Sequence, residues 1–276
     1  MDRLQRVYGE VIGKEEVASM IFDCHVHLPS PGLGKTWEWQ PFTPDVPAAM
    51  RYLKRCGVDR AIANSVRGEL ATTPEEMRAA NDETARVARE YPDLLVPACL
   101  VNTNLGKEAA AEIRRCRELM GMVWIGELCG YAGGYEYDTE GFSQAAAIAG
   151  ELNMVVQIHV DDVEEMDRIC GEFKQVTWVL PHPGDSPREV MERCELARKH
   201  NNLYLDLSGH GVQRMGVLDL AVRCAGPDRV LFGSDYTIND PAAVIATIRR
   251  SYLSDEVKAK ILGWNVVRML EERGVG

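Results

Sequence analysis

The sequence lacks three features that would each assign the protein to a particular class. No apolar run reaches the ~18 residues of a membrane-spanning helix, and the first residues, MDRLQRVYGEVIGKEEV, are too charged for a secretory signal peptide. The eight cysteines form neither a CxxC pair nor a compact disulfide framework. These absences predict a cytoplasmic protein with reduced, mostly buried thiols and no membrane partner.

Positive charge is also in short supply. Lys and Arg number 31 against 42 Asp and Glu, which gives a net charge of −11 and disfavours binding to nucleic acid. Hydrophobic residues make up 46% and charged residues 26% of the 276 residues, as is normal for a globular protein with a substantial core. A chain of this length forms one large domain or two ordinary ones.

A repeated pattern of short apolar run, loop and amphipathic helix dominates what the sequence does contain. This pattern predicts parallel strands connected by helices. Successive runs are about 30 residues apart, the size of one strand–helix–strand unit. The runs cover residues 21–28, 61–64, 94–101, 122–127, 154–159, 176–180, 203–207 and 230–232.

Several helix starts are marked by capping residues. Thr73, Ser186 and Asp240 each precede a proline, which suits the first helical position. The first two also have a glutamate at the capping-box position, Glu76 and Glu189. These signals predict helices that begin at the prolines.

Eight strand–helix units predict an α/β fold of the (β/α)8 TIM barrel type, with residues 1–276 forming a single domain. Residues 1–20 predict a short N-terminal helix, and residues 254–273 predict an extra C-terminal helix interrupted at Gly-Trp-Asn. An open doubly wound sheet is the competing architecture. It would not bring the ends of the first, fifth, sixth and eighth strands to one point, whereas a closed barrel does.

Residues that can bind a metal ion stand at the ends of several predicted strands. In the first run, IFDCHVHL, alternation places Asp23, His25 and His27 on one face. Later strands end in Glu127, His159, His182 and Asp235. Barrel enzymes draw their catalytic side chains from such strand ends, and neutral imidazoles suit zinc and similar ions. One such histidine is usually a packing residue, but the combination favours a metal site, with Asp23 deeper in the barrel.

These motifs resemble those of the amidohydrolase superfamily, in particular the amidohydrolase-related (amidohydrolase 2) branch of metal-dependent TIM-barrel hydrolases. The resemblance spans nearly the whole chain and rests on DCHVH, IH, PHPG, FGSD and the final ILGWNVVRML. It implies that His25, His27, His159 and Asp235 are metal ligands. It makes His182 a second-metal ligand or a catalytic electrophile.

Glu127 departs from many two-metal relatives, which have a carboxylated lysine at the fourth strand. A glutamate there resembles the bridging ligand of the TatD-type nuclease branch, which implies that Glu127 binds a second metal. The alternative is a carboxylate that orients a ligand histidine. The resemblance thus implies a divalent metal cofactor, one ion or two, with zinc expected and manganese as the alternative.

The implied activity is metal-dependent hydrolysis of an amide, ester or lactone bond in a small molecule. Asp235 would accept a proton from metal-activated water and pass it to the leaving group, while His182 would stabilise developing charge. The alternatives are a metal-dependent decarboxylase or hydratase of the same superfamily, a TatD-like phosphodiesterase, and a non-catalytic ligand-binding barrel. Decarboxylase members often replace the first histidine of the pair, which this chain keeps as His25.

Three further residues are predicted to contact the substrate. Trp39 lies in the long loop after the first strand, Arg67 follows the second strand, and His210 follows the seventh. Arg67 is suited to a substrate carboxylate, with a solvated arginine as the alternative. The loop segment PSPGLGKT lacks the first glycine of a phosphate-binding loop, which argues against nucleotide binding. The sequence is compatible with a homo-oligomer.

Overall fold

The computed structural model describes residues 20–30, 45–209 and 211–275. The predicted N-terminal helix lies outside these residues, and so do Trp39 and His210.

Eight strands and twelve α-helices alternate along this part of the chain. The strands are β1 (Phe22–Leu28), β2 (Arg60–Ser65), β3 (Leu95–Pro97), β4 (Trp124–Cys129), β5 (Val155–His159), β6 (Thr177–Leu180), β7 (Leu203–Asp206) and β8 (Val230–Leu231). The helices are α1 (Val46–Arg55), α2 (Val66–Glu69), α3 (Pro74–Glu90), α4 (Lys107–Met120), α5 (Gly130–Gly133), α6 (Glu140–Glu151), α7 (Val163–Glu172), α8 (Pro187–Lys199), α9 (Val217–Ala225), α10 (Pro241–Arg249), α11 (Asp255–Ala259) and α12 (Asn265–Glu271). Short 3₁₀ turns cover Thr103–Leu105 and Pro227–Arg229.

The strands pair in chain order, and all pairs are parallel. One sheet contains β1 to β3 and the other contains β4 to β8. Parallel bridges join the two sheets at both seams: Val26 pairs with Tyr236 beyond β8, and Cys99 beyond β3 pairs with Ile125. The Cys99 N–H donates to the Trp124 carbonyl at 2.8 Å. The strands therefore form a ring, which confirms the prediction of a (β/α)8 barrel.

The third strand differs most from its predicted bounds. The apolar run 94–101 predicted a strand of that length, but β3 covers only Leu95–Pro97. Beyond Pro97 the chain changes partners, because the Ala98 N–H bonds to Ala63 in β2 while the Cys99 N–H bonds to β4. The run remains almost fully buried, so its apolar character reflects burial and not strand length.

The predicted helix signals are present in the structure. Thr73 and Ser186 form capping boxes with Glu76 and Glu189 at the starts of α3 and α8. Asp240 caps α10 by accepting the Ala242 N–H at 2.9 Å. The C-terminal helix is interrupted as predicted, by a π-helical turn at Lys260–Trp264 between α11 and α12.

An apolar cluster fills the end of the barrel at which the strands begin. It joins side chains of seven strands to α12, with Phe22, Ile62, Val96, Trp124, Val155, Val179 and Leu231 on the strands and Val266, Met269 and Leu270 on the helix. The helix thereby covers this end of the barrel. The buried polar residues described below gather at the opposite end.

Two further observations concern the cysteines and the length of the helices. All eight cysteines are free, and six of them are buried. In the described ranges, no helix combines the length and the apolar character needed to cross a membrane.

Candidate metal centre

Side chains from three strand ends meet at the C-terminal end of the barrel. His25 and His27 on β1 place their Nε2 atoms 3.0 Å apart. Asp235, beyond β8, has Oδ1 2.9 Å from His27 Nε2, and Glu127 on β4 has Oε2 3.2 Å from His25 Nε2. All four residues are at most 5% exposed. We call this group the first subsite.

The other oxygen of Glu127 faces two more histidines. Its Oε1 lies 3.1 Å from Nδ1 of His159 on β5 and 3.3 Å from Nε2 of His182 beyond β6. The two imidazole ring centres are 4.9 Å apart. Glu127, His159 and His182 form what we call the second subsite.

Glu127 therefore lies between two clusters of ligand-type atoms. Burial raises the pKa of its carboxyl group, but the charge of His25 and hydrogen bonds from His159 and His182 outweigh burial and hold the pKa well below its ordinary value. The side chain is ionised at neutral pH. A carboxylate with one oxygen toward each subsite has the geometry of a shared ligand.

Two buried carboxylates fix the orientation of the β1 histidines. His25 Nδ1 lies 2.8 Å from Asp206 Oδ2, and His27 Nδ1 lies 2.6 Å from Glu69 Oε1. A carboxylate only accepts hydrogen bonds, so each Nδ1 carries a proton, and without a further positive charge each ring would present a bare Nε2 to the other. Two lone pairs 3.0 Å apart cannot bond to each other. A positive charge at the Nε2 atoms, either a proton or a metal ion, resolves this arrangement.

The electrostatics of the first subsite favour positive charge. Burial lowers the pKa of His27, but Glu69 and Asp235 outweigh burial and raise it to about 10. Burial likewise lowers the pKa of His25, and Glu127 and Asp206 raise it well above its ordinary value. The histidines thus lie where a positive charge is stabilised, whether it arrives as a proton or as a metal ion.

The charge balance of the whole centre points the same way. Five buried carboxylates gather there, those of Asp23, Glu69, Glu127, Asp206 and Asp235. Among the described residues, none of the five has a Lys or Arg within salt-bridge distance. Buried carboxylates that lack a permanent cation are costly, so this donor set fits one or two divalent cations.

Asp23 lies below the subsites, as expected from its position in β1. Its Oδ1 accepts the backbone N–H groups of His25 at 3.1 Å and Ser234 at 2.9 Å. Burial raises the pKa of Asp23 to about 7, against the lowering effect of hydrogen bonds from Ser234 and His25. The side chain ties β1 to the segment that carries Asp235.

Two glycines are required by the close packing around the centre. A Cβ on Gly233, in the FGSD motif, would lie 2.1 Å from Asp206 Oδ1. Gly209 has φ of +66°, and a Cβ there would lie 2.2 Å from His182 Nδ1. The glycine of FGSD therefore makes room for the carboxylate that holds His25.

Some site residues were missed in the sequence. Asp206 ends an apolar run, LYLD, just as Asp235 follows one, so the same reasoning could have found it. Glu69 lies in the short helix α2, where no local pattern marks it. Tyr131 was also missed, and its ring lies 5.0 Å from the His159 ring at the barrel mouth.

Arg67 is described, but its role remains a prediction. It lies in α2, and its Nε is 3.6 Å from Glu83 Oε2 on α3. The predicted substrate contacts of Trp39 and His210 fall outside the described residues.

A family model described as amidohydrolase, Amidohydro_2, matches residues 22–271. The chain belongs to the amidohydrolase family. The match covers every strand of the barrel and both subsites. It confirms the family that the strand-end motifs indicated.

Solved structures with the same fold include two decarboxylases. One is 5-carboxyvanillate decarboxylase from Sphingomonas paucimobilis, with a TM-score of 0.75 and 15% identity over 92% of this chain and 99% of that chain. Another is a dihydroxybenzoic acid decarboxylase from Polaromonas sp. JS666 with bound manganese and the inhibitor 2-nitroresorcinol, with a TM-score of 0.73 and 17% identity over 92% and 97% of the two chains.

A protein named amidohydrolase II is similar to the same degree, with a TM-score of 0.73 and 17% identity over 91% of this chain and 99% of that chain. At these identities the likeness establishes a shared fold. The comparison with curated proteins found no match.

Proposed function

We propose that this protein is a metal-dependent hydrolase of small molecules in which Glu127 is shared between two divalent cations. The observation that carries the proposal is the placement of the two carboxylate oxygens, Oε2 at 3.2 Å from His25 Nε2 and Oε1 at 3.1 Å from His159 Nδ1. One oxygen faces each subsite. A carboxylate that only oriented a histidine would need one of these contacts, not both.

The chain supplies a full set of donors for both ions. His25, His27 and Asp235 complete the first subsite with one oxygen of Glu127, and His159 and His182 complete the second with the other. Mixed imidazole and carboxylate donors suit zinc and manganese. A bound divalent cation supplies Lewis acidity, which makes water acidic enough to act as a nucleophile near neutral pH.

Asp235 is the proposed general base. Burial raises the pKa of Asp235, but the hydrogen bond with His27 and the charges of His25 and His27 lower it below its ordinary value, so the group is a carboxylate at neutral pH. Its Oδ2 accepts a hydrogen bond from Asn239 Nδ2 at 2.9 Å, which fixes the plane of the carboxylate. Asp235 can therefore take a proton from the nucleophile and return it to the leaving group.

Decarboxylation is the second candidate, favoured by the decarboxylases among the similar structures, including the two described above. The Polaromonas enzyme, with its bound manganese, also supports manganese as the alternative to zinc. His25 argues for hydrolysis, since decarboxylases of the resembling branch often replace this residue. Both candidates take a small-molecule substrate.

A substrate panel with product analysis separates these reactions. Protein purified without chelators and supplied with zinc or manganese is offered lactones, esters, amides, a phosphodiester and hydroxylated aromatic acids. Hydrolysis incorporates ¹⁸O from labelled water into the product, whereas decarboxylation releases carbon dioxide. Carbon dioxide release with no hydrolysis of any substrate would replace the proposal by its second candidate.

A histidine variant with a matched control tests the site. His25→Ala should lose turnover and metal, whereas His200→Ala should keep both, because His200 Nε2 pairs with Asp167 on the outer helices at 2.5 Å. Undiminished turnover of His25→Ala without a metal requirement contradicts the proposal.

A further inference from the structure

A buried arginine on the outer helix α8 reaches inward to the strand ends that carry the second subsite. Arg193 is 7% exposed. Its Nη1 donates to the carbonyls of Pro181 and His182, both at 3.0 Å, and its Nη2 donates to the carbonyl of Val160 at 3.1 Å. One guanidinium group therefore binds three backbone carbonyls.

These carbonyls belong to the segments that carry the two histidines of the second subsite. Val160 directly follows His159 at the end of β5, and Pro181 directly precedes His182 after β6. Because the guanidinium is planar and its donors have fixed directions, it sets the spacing between the two strand ends. That spacing determines the distance between the two imidazoles and the distance of each imidazole from Glu127.

The backbone at His182 makes such support necessary. His182 has φ of +63°, a left-handed conformation that is uncommon in residues other than glycine. Residues keep such conformations where their surroundings hold them. Arg193 binds the carbonyls on both sides of the His182 α-carbon.

The second subsite has weaker support from other side chains than the first. His182 Nδ1 lies 3.3 Å from the Ser208 hydroxyl, and His159 Nε2 lies 3.4 Å from Asp161, whose side chain is 86% exposed. No buried carboxylate in the described ranges contacts the outer nitrogen of either ring. The backbone clamp of Arg193 takes the place that Asp206 and Glu69 have in the first subsite.

We infer that Arg193 is a positioning residue that holds His159 and His182 in the geometry of the second subsite and so sets the affinity of that subsite for its cation. The inference rests on the proposed two-cation function. It concerns the second subsite alone, because Arg193 has no contact with His25, His27 or Asp235.

The chain offers a matched control for this arginine. Arg229 also binds three carbonyls through Nη1, those of Ala197 and His200 at 2.7 Å and of Leu203 at 3.1 Å. Leu203 begins β7, so this clamp lies at the end of the barrel opposite the subsites. Arg229→Met removes a comparable set of hydrogen bonds without touching the metal centre.

The experiment compares Mn²⁺ binding to wild type, Arg193→Met, Arg193→Lys and Arg229→Met. Equilibrium dialysis gives the number and affinity of bound ions, and electron paramagnetic resonance reports magnetic coupling between two neighbouring ions. Arg193→Met should bind the first ion like wild type, bind the second at least about tenfold more weakly and lose the coupled signal. Arg193→Lys should fall between the two, since one ammonium group cannot span three carbonyls.

Arg229→Met should be less stable to heat while both binding constants stay within about twofold of wild type. The inference is overturned if both Arg193 variants bind two ions like wild type, or if they lose both ions equally. If Arg193→Met does not fold, the lysine variant decides by the same readouts. Wild type that binds only one ion overturns the inference together with the two-cation proposal, whereas unaffected Arg193 variants overturn the inference alone.

Discussion

Glu112 and Glu127 are both almost fully buried, at 1% and 3% exposed, yet their surroundings differ in kind. Glu112, on α4, receives two hydrogen bonds of 2.7 Å from Arg115 and one of 2.9 Å from Asn81 on α3. Glu127 receives its contacts from histidines. The first carboxylate has a permanent cation from the chain itself.

This is the difference that we expect between a structural carboxylate and one that binds a metal ion, the role we propose for Glu127. A buried charge is tolerated when it is paired, and Arg115, the partner of Glu112, keeps its charge at every pH at which proteins are handled. Glu127 stands with four other buried carboxylates and with side chains that can change protonation. We propose that a cation from solution completes the centre around Glu127, whereas it would have no place beside Glu112.

Glu127→Gln should have the largest effect. An amide presents one oxygen and one N–H group, so it cannot face both subsites with an acceptor. We expect turnover to fall by about 10³-fold or more and the number of bound Mn²⁺ ions to fall from two to one. Steady-state kinetics and equilibrium dialysis measure these quantities. A Gln variant that keeps both ions and full activity would show that the oxygens are not shared.

Glu112→Gln should lower the stability of the protein without changing metal binding. Removing the charge leaves Arg115 without its main partner, which should lower the free energy of unfolding by about 3 kcal/mol in urea titrations. The number of bound ions should not change, and a change would place Glu112 in the functional group.

The loss of unfolding free energy in Glu112→Gln should depend on pH, because its size follows from the pKa of Glu112. Burial raises that pKa, but hydrogen bonds from Arg115 and Asn81 outweigh burial and lower it below its ordinary value. The stabilisation is therefore complete above the ordinary pKa of about 4.3 and is lost as the pH falls through the lower folded-state value. The gap in stability between wild type and Glu112→Gln should narrow in that acidic range. A gap that stayed constant there would exclude the charge of Glu112 as its source.

Glu69→Gln should have an intermediate effect on the first subsite. The amide can still accept a hydrogen bond from His27 Nδ1 but no longer balances charge, so the affinity of the first subsite should fall by about 10–100-fold. Calorimetric titration with Zn²⁺ measures the change. An unchanged affinity would mean that Glu69 has only a packing role.

Asp161→Asn should have the smallest effect. The Asp161 side chain is 86% exposed and lies 3.4 Å from His159 Nε2. Exposed ion pairs contribute little, so the affinity of the second subsite should fall by no more than about fivefold. A loss of about tenfold or more, measured by the same titration, would show that solvent-exposed charge supports the second subsite as strongly as Arg193.

The sequence predicted what depends on local pattern. The strand ends that carry His25, His159 and Asp235 follow apolar runs, and the ring of parallel strands followed from the spacing of those runs. What it did not predict depends on residues distant in the chain. His25 and Asp206 are 181 positions apart, and His27 and Glu69 are 42 apart.

The sequence also did not predict the orientation of individual side chains. The position of Glu127 at a strand end left open whether it bridges two ions or orients one histidine, because only the packed structure shows where each oxygen points. Arg193 was beyond local reasoning as well, since an arginine on a predicted outer helix is normally solvated.

The most direct test of a shared Glu127 is a titration of the metal-free wild-type protein with Mn²⁺, followed by electron paramagnetic resonance. Binding of two ions per chain, with magnetic coupling that disappears in Glu127→Gln, is the predicted result. Saturation at one ion per chain, or two uncoupled ions that persist in Glu127→Gln, would contradict the two-cation centre.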